Sequence, residues 1–208
     1  MFVAGLTGGI ASGKSTVADR LVAHHGAELI DADQISREVV LPGTPTWYRI
    51  IEHFGDEVLG PDGFLDRPFL GAIVFADPDK RRLLNELTHP PILREIADRL
   101  EEQENSGRLV VLDIALLVEL GADLHFDAVV VVVSSPELQE KRMVEKRQMD
   151  PRHARQRIAA QASEEDRLAL ATHVIRNDGS LEDLRNATDE VAEDLKEQAR
   201  KKASGRAG

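Results

Sequence analysis

The spacing of apolar residues changes period several times along this chain, and each change marks an element. Phe2 to Leu6 is a short unbroken apolar run, and behind it Val17, Leu21 and Val22 recur at helical spacing. That order predicts a strand followed by a helix. Ala27 to Ile30 is a second short run, and the helix expected after it, over 34–40, is stopped by Pro42-Gly43. Trp47, Ile50, Ile51 and Phe54 are spaced to share one helical face. The turn-rich stretch 55–66 holds Gly60-Pro61-Asp62-Gly63 and leads into a short helix over 68–75. Asp77-Pro78 reads as an N-cap with proline at the first helical position, opening a helix toward Thr88. Pro90-Pro91 is expected to break that helix, with another continuing to Asn105 and ending at Gly107.

From Leu109 the pattern is different. Leu109 to Leu112 and Ala128 to Val133 are continuous, valine-rich apolar runs, the signature of strands covered on both faces in a parallel sheet. Ser135-Pro136 and Asp150-Pro151 each read as helix caps, and Ser163 to Asp166 as a capping box. Val174-Ile175 is a last short strand, and Ser180 opens a final helix whose tail from Lys201 is expected to fray. Five strands alternating with helices predict an α/β fold with a doubly wound parallel sheet. The helical block 44–105, between the second and third strands, is too long for a simple crossover. It reads as an inserted substrate-binding subdomain.

Composition narrows the class. A chain of 208 residues, 42% hydrophobic and 30% charged, suits one globular domain with room for a buried sheet. A formal net charge of −11 argues against a general nucleic-acid or membrane-surface binder. There is no cysteine, so no disulfide framework, thiol nucleophile or cysteine metal site, which agrees with a cytoplasmic location. The N-terminal apolar run lacks a positive flank and is too short for a signal peptide. No apolar stretch approaches the roughly 20 residues of a spanning helix.

The chemistry starts at Gly8 to Thr16, GGIASGKST, which fits G-x-x-x-x-G-K-[ST] between the first strand and the first helix. Glycines let such a loop curl so that N–H groups point inward at an anion, and the helix beginning near Lys14 adds the positive end of its dipole. Lys14 then reaches the β- and γ-phosphates, and the Ser15 hydroxyl ligates Mg²⁺. Asp31 and Asp33 stand two apart at the end of the second strand. If the segment is extended, both carboxylates project together beside the loop. Asp33 then accepts or orients a hydroxyl for in-line attack on a γ-phosphate; alternatively it only caps the next helix. Asp113, after the third strand, is either a Mg²⁺-associated carboxylate or a solvated strand-end acid. Glu119 serves either the substrate or a local cap.

Residues 141–157 hold seven Lys or Arg against two acids. Most of this charge reads as a solvated helical face. Arg142, on the helix nearest the sheet edge, is the candidate to stabilise a phosphoryl group in transfer. His24 and His25 are adjacent and diverge around a helix, and no H-x-H or H-E-x-x-H occurs. A metal is therefore expected to arrive with a nucleotide.

Taken in order, LTGGIASGKST (6–16), IDAD (30–33) with Arg37-Glu38, LDRPFLGAIVFAD (65–77), LTHP (87–90), DIALLVE (113–119), RIAAQ (157–161) and VIRNDGS (174–180) resemble the dephospho-coenzyme A kinases. These are P-loop kinases related to the nucleoside monophosphate kinases. The resemblance spans about residues 1–185. It implies transfer of the ATP γ-phosphate to the 3′-hydroxyl of dephospho-coenzyme A, with Mg²⁺. Catalytic roles then fall to Asp33, Lys14 and Arg142, and nucleotide contacts to Gly9, Ile10, Ala11, Ser12, Gly13, Lys14, Ser15, Thr16, Asn177 and Gly179. Asp31, Asp33, His89, Leu116 and Glu119 meet the acceptor. Ser15 holds Mg²⁺, with Asp113 behind it. The block 44–105 becomes the coenzyme A subdomain and 136–162 a basic lid. Two positions depart from the family's usual pattern: Ala11 replaces a loop glycine, and Ala115 replaces a proline after the third strand. A nucleoside monophosphate kinase would share loop and lid but need another acceptor pocket. The D-x-x-G and N-K-x-D motifs of a GTP-driven switch are missing.

Overall fold

A computed structural model describes residues 1–104, 106–115, 117–118 and 124–205. These contain a five-stranded sheet made of β1 (Phe2–Gly8), β2 (Glu28–Asp31), β3 (Leu109–Asp113), β4 (Ala128–Val133) and β5 (His173–Arg176). The order is β2-β3-β1-β4-β5, and every neighbouring pair is parallel. Consecutive parallel strands need crossover connections, so helices cover the faces. Every residue of β1 and β3 is buried accordingly. The chain passes from β1 to the β3 side and later to the β4 side. The carboxyl end of β1 is therefore the switch point at which open α/β sheets bind ligands.

The chain divides into two compact units, one of Met1–Asp31 with Gln103–Gly208 and one of Ala32–Glu102. The first holds the sheet with α1 (Lys14–His25), α6 (Pro136–Arg147), α7 (Pro151–Ala159), α8 (Glu164–Ala169) and α9 (Leu181–Gly205). Its core packs Phe2, Ala4 and Leu6 of β1 and Val130 and Val132 of β4 against Val17 and Leu21 of α1 and Leu184, Ala192 and Leu195 of α9. The second is helical: α2 (Ala32–Glu38), α3 (Pro45–Phe54), a 3₁₀ turn at Asp56–Val58, α4 (Arg67–Ala76) and α5 (Pro78–Glu102). Its core gathers Val40, Ile50, Phe54, Val58, Leu70 and Leu87.

Several expected boundaries moved. Helix α5 runs unbroken through Pro90-Pro91. The prolines forfeit two backbone donors, but Leu87 and Ile96 on either side are buried and the helix packs on α2, α3 and α4. Tertiary burial outweighs the local break. Ser135 precedes α6 without a side-chain cap bond; its N–H donates to Asp178 Oδ1 at 2.8 Å instead. The capping box of Ser163 and Asp166 is present on α8. Helix α2 starts at Ala32, so Asp31 ends a strand while Asp33 already lies in a helical first turn. The two-residue alternation of an extended segment therefore does not relate these carboxylates, because the backbone turns helical between them.

Of the tail expected to fray, Lys201 to Gly205 are helical. Helix α9 continues to Gly205, and Lys202 Nζ pairs with Asp127, whose Oδ2 accepts Val3 N–H at 2.8 Å. Nearer its start, Asp189 accepts Arg20 Nε and Nη2 at 2.8 and 2.7 Å and faces His25 Nε2 at 2.7 Å. Lys196 Nζ lies 3.0 Å from His25 Nδ1. An ammonium only donates, so Nδ1 accepts and Nε2–H donates to Asp189. The Arg20 guanidinium first, and His25 second, hold the Asp189 carboxyl well below the usual carboxylate range. A lowered folded pKa contributes stability that is present above the unfolded value, about 3.9, and is lost as pH falls through the folded value. Asp189→Asn is expected to lower Tm by a few degrees at pH 7, with the gap to the parent closing as pH falls toward about 2. Thermal melts of both proteins across that range check it.

Candidate active site

Strand β1 delivers the chain to Gly8, and α1 begins at Lys14, so residues 8–13 form the connecting loop. Gly13 is the N-cap at φ 102°, a left-handed conformation suited to glycine. A Cβ there would also collide with Asn177 Nδ2. With no capping side chain and no acid in the first turn, the first N–H groups of α1 are presented to an anion. Ala11 stands at φ 58°. The conformation explains why glycine suits that position, and alanine there costs about 1–2 kcal/mol. Ser12 is fully buried, and its hydroxyl finds no hydrogen-bond partner among the described residues.

Charges surround this loop. Lys14 Nζ pairs with Asp113 Oδ1. Asp113 is the last residue of β3 and is only 7% exposed. It is therefore a buried, paired acid rather than a solvated one. In the sheet it is the register partner of both Leu6 and Asp31, so two acids end neighbouring strands beside the loop's own strand. Arg142 reaches over from α6. Its Nη1 donates to Ala11 O at 3.2 Å and Ser134 Oγ at 3.0 Å, and its Nη2 donates to Asn177 O at 2.8 Å. All three acceptors are neutral, so a full positive charge stands against the loop. By contrast Arg155 pairs with Glu140 at 2.5 Å, and Lys141 approaches Glu145 at 4.0 Å. Those two cations belong to the solvated helical face.

A cleft of about 270 Å³ opens beside the loop, lined by Ala11, Gly13, Ser15, Thr16, Arg142, Asn177 and Gly179, with Lys146 and Arg147 at α6. It brings together the loop, α1, α6 and the segment after β5; of the other nucleotide-contacting candidates, Gly9 lines a neighbouring cavity. Asn177 does more than border the cleft. Its Nδ2 donates to Ser12 O at 2.7 Å, and its backbone N–H to Val133 O at 2.8 Å. Asp33 and His89 lie in the helical unit, and His89 lines a cavity of about 580 Å³ with Arg81, Arg82 and Asn85 along α5. Leu116 and Glu119 lie outside the described residues. Sequence reasoning missed Gln161, whose Oε1 accepts Ile10 N–H at 2.7 Å, and Ser134. Gln161 sits inside RIAAQ, but neutral amides carry no charge signal to single them out.

A wholly parallel sheet with a lysine-bearing glycine loop at its switch point, and an arginine set over that loop, defines a P-loop nucleotide-binding fold. A family model described as dephospho-CoA kinase matches residues 2–183. The chain belongs to the dephospho-CoA kinase family. A dephospho-CoA kinase of Streptomyces avermitilis is 50% identical over 195 residues, covering 94% of each chain. A Thermus thermophilus protein of solved structure is 32% identical with a TM-score of 0.81, over 93% of this chain and 97% of that one. The dephospho-CoA kinase from Campylobacter jejuni superimposes with a TM-score of 0.63 at 26% identity, over 93% and 96%. Among the described residues no helix is long and apolar enough to cross a membrane.

The left-handed Ala11 yields a test. Ala11→Gly relieves the Cβ cost but loosens the unfolded chain by about 0.4–1 kcal/mol. It is therefore expected to leave stability unchanged or raise it by up to about 1 kcal/mol. Ala11→Val, β-branched at positive φ, should lower stability by about 1–3 kcal/mol. Urea unfolding of the three proteins measures both.

Proposed function

We propose that this protein transfers the γ-phosphoryl group of ATP to the 3′-hydroxyl of dephospho-coenzyme A, giving coenzyme A and ADP. The observation that carries this reading is the convergence of the glycine loop, Arg142 and Asn177 on one cleft, with Lys14 following that loop and paired with Asp113, in a member of this family. ATP takes that cleft with its phosphates on residues 9–16 and its base toward Asn177 and Gly179. Lys14 exchanges its bond to Asp113 for phosphate oxygens. Arg142, which has no carboxylate partner among the described residues, meets the charge that develops on the transferring group.

The acceptor 3′-oxygen attacks the γ-phosphorus as the bond to the β–γ bridging oxygen breaks, and the hydroxyl proton passes toward the Asp33 carboxylate. ADP leaves with the bridging oxygen. The helical unit, with His89, takes the rest of dephospho-coenzyme A, joined by Asp31, Leu116 and Glu119. Residues 136–162 act as the lid. The Ser15 hydroxyl and the Asp113 carboxylate are hard oxygen donors that suit Mg²⁺, which when bound would neutralise phosphate charge.

The test is ADP release from ATP and Mg²⁺ with dephospho-coenzyme A, nucleoside monophosphates or no acceptor. Release is expected only with dephospho-coenzyme A, and release with a monophosphate alone would overturn the reading. Asp33→Asn should retain ATP binding and lose about 10²–10⁴-fold in kcat. Parent-like turnover would remove Asp33 from the chemistry.

A further inference from the structure

Three consecutive loop residues are each held by a side chain from elsewhere in the chain. Gln161 Oε1 accepts Ile10 N–H at 2.7 Å, Arg142 Nη1 donates to Ala11 O at 3.2 Å, and Asn177 Nδ2 donates to Ser12 O at 2.7 Å. Arg142 and Asn177 are bonded to each other and form one support. Gln161 arrives independently, from the turn between α7 and α8 at the end of the basic segment. That turn has its own bracing. Gln161 N–H donates to Ile158 O at 3.3 Å, and Arg167 Nη1 donates to Ala162 O at 2.9 Å. Side chains of α6 and α8 crowd the residue before Ile10. A Cβ on Gly9 would lie 2.8 Å from Gln139 Nε2 and 3.3 Å from Arg167 Nη2. Both atoms end flexible side chains that approach this glycine closely.

We infer that Gln161 is a positioning residue that latches the α7–α8 turn to the phosphate loop through the Ile10 amide. Left-handed Ala11 follows directly, and a strained residue persists only where its surroundings over-determine it. Gln161 pins the residue before Ala11, and Arg142 pins its carbonyl. The loop's shape is thus templated by the same 136–162 segment that carries the basic residues. A displacement of the turn would release Ile10, so loop geometry and lid position are coupled. Phosphoryl transfer depends mainly on positioning and charge, so losing the latch is a cost in turnover. This inference rests on the proposed kinase activity.

Gln161→Met keeps the side chain's length and removes the oxygen acceptor; Gln161→Glu keeps an acceptor. In the parent, hydrogen exchange at the Ile10 amide should be protected. It should speed up by at least about tenfold in Gln161→Met and stay slow in Gln161→Glu. At saturating ATP and dephospho-coenzyme A, kcat should fall by about tenfold in Gln161→Met, with the KM for dephospho-coenzyme A within about twofold of the parent. Gln161→Glu should keep kcat within about threefold. Parent-like kcat and exchange in Gln161→Met would overturn the latch, as would an Ile10 amide unprotected in the parent, a measurement that needs no variant. Equal losses of kcat and Tm in both variants would also overturn it, by marking Gln161 as structural. A parent without acceptor-dependent ADP release would instead count against the activity, while Ile10 exchange would still decide whether the latch exists.

Discussion

A loop that presents backbone N–H groups to an anion must be held in a shape that local preference alone does not favour. That constraint governs this protein. The loop from Gly8 to Gly13 holds two residues at positive φ, one of them an alanine, and such a shape is not held by local preference. It is imposed from outside by Asn177 on Ser12, Arg142 on Ala11 and Gln161 on Ile10. The sheet supplies the rigid edge from which these supports reach in, because β1, β3 and β4 are covered and largely buried on both faces.

The charge arrangement follows from the same edge. Asp113 is buried at the end of a central strand, and a buried carboxylate is tolerated only when paired. Lys14 supplies that partner. In the activity proposed above, an arriving phosphate chain would offer Lys14 another set of oxygens, and the pair would exchange rather than serve as a permanent strut. Arg142 differs in that its acceptors are all neutral, which leaves its charge available over the loop. In the same unit α9 is held by different means: apolar burial of Leu184, Ala192 and Leu195, with Asp189 and Lys202 tying it to α1 and to Asp127.

Much of this was legible in the residues. Unbroken valine-rich runs can only be covered strands, and G-x-x-x-x-G-K-S between a strand and a helix can scarcely be read another way. The caps at Asp77, Asp150 and Ser163 are local hydrogen-bond chemistry, and the structure shows all three. Reading failed where tertiary packing overrode local preference. Pro90-Pro91 is a strong break signal, yet α5 continues because Leu87 and Ile96 are buried on either side. Asp31 and Asp33 looked like neighbours on one strand, but the backbone turns helical at Ala32.

What the sequence determined by itself was the alternation of strands and helices, the phosphate loop and the family, because each depends on residues close in the chain or on an ordered set of motifs. What only the tertiary structure decided was which distant side chains hold that loop. Gln161 is 151 residues from Ile10, and Asn177 is 165 from Ser12. Neutral amides bonding to backbone leave no periodicity, charge pattern or spacing to read. Only the folded chain brings them within 2.7 Å of the groups they hold.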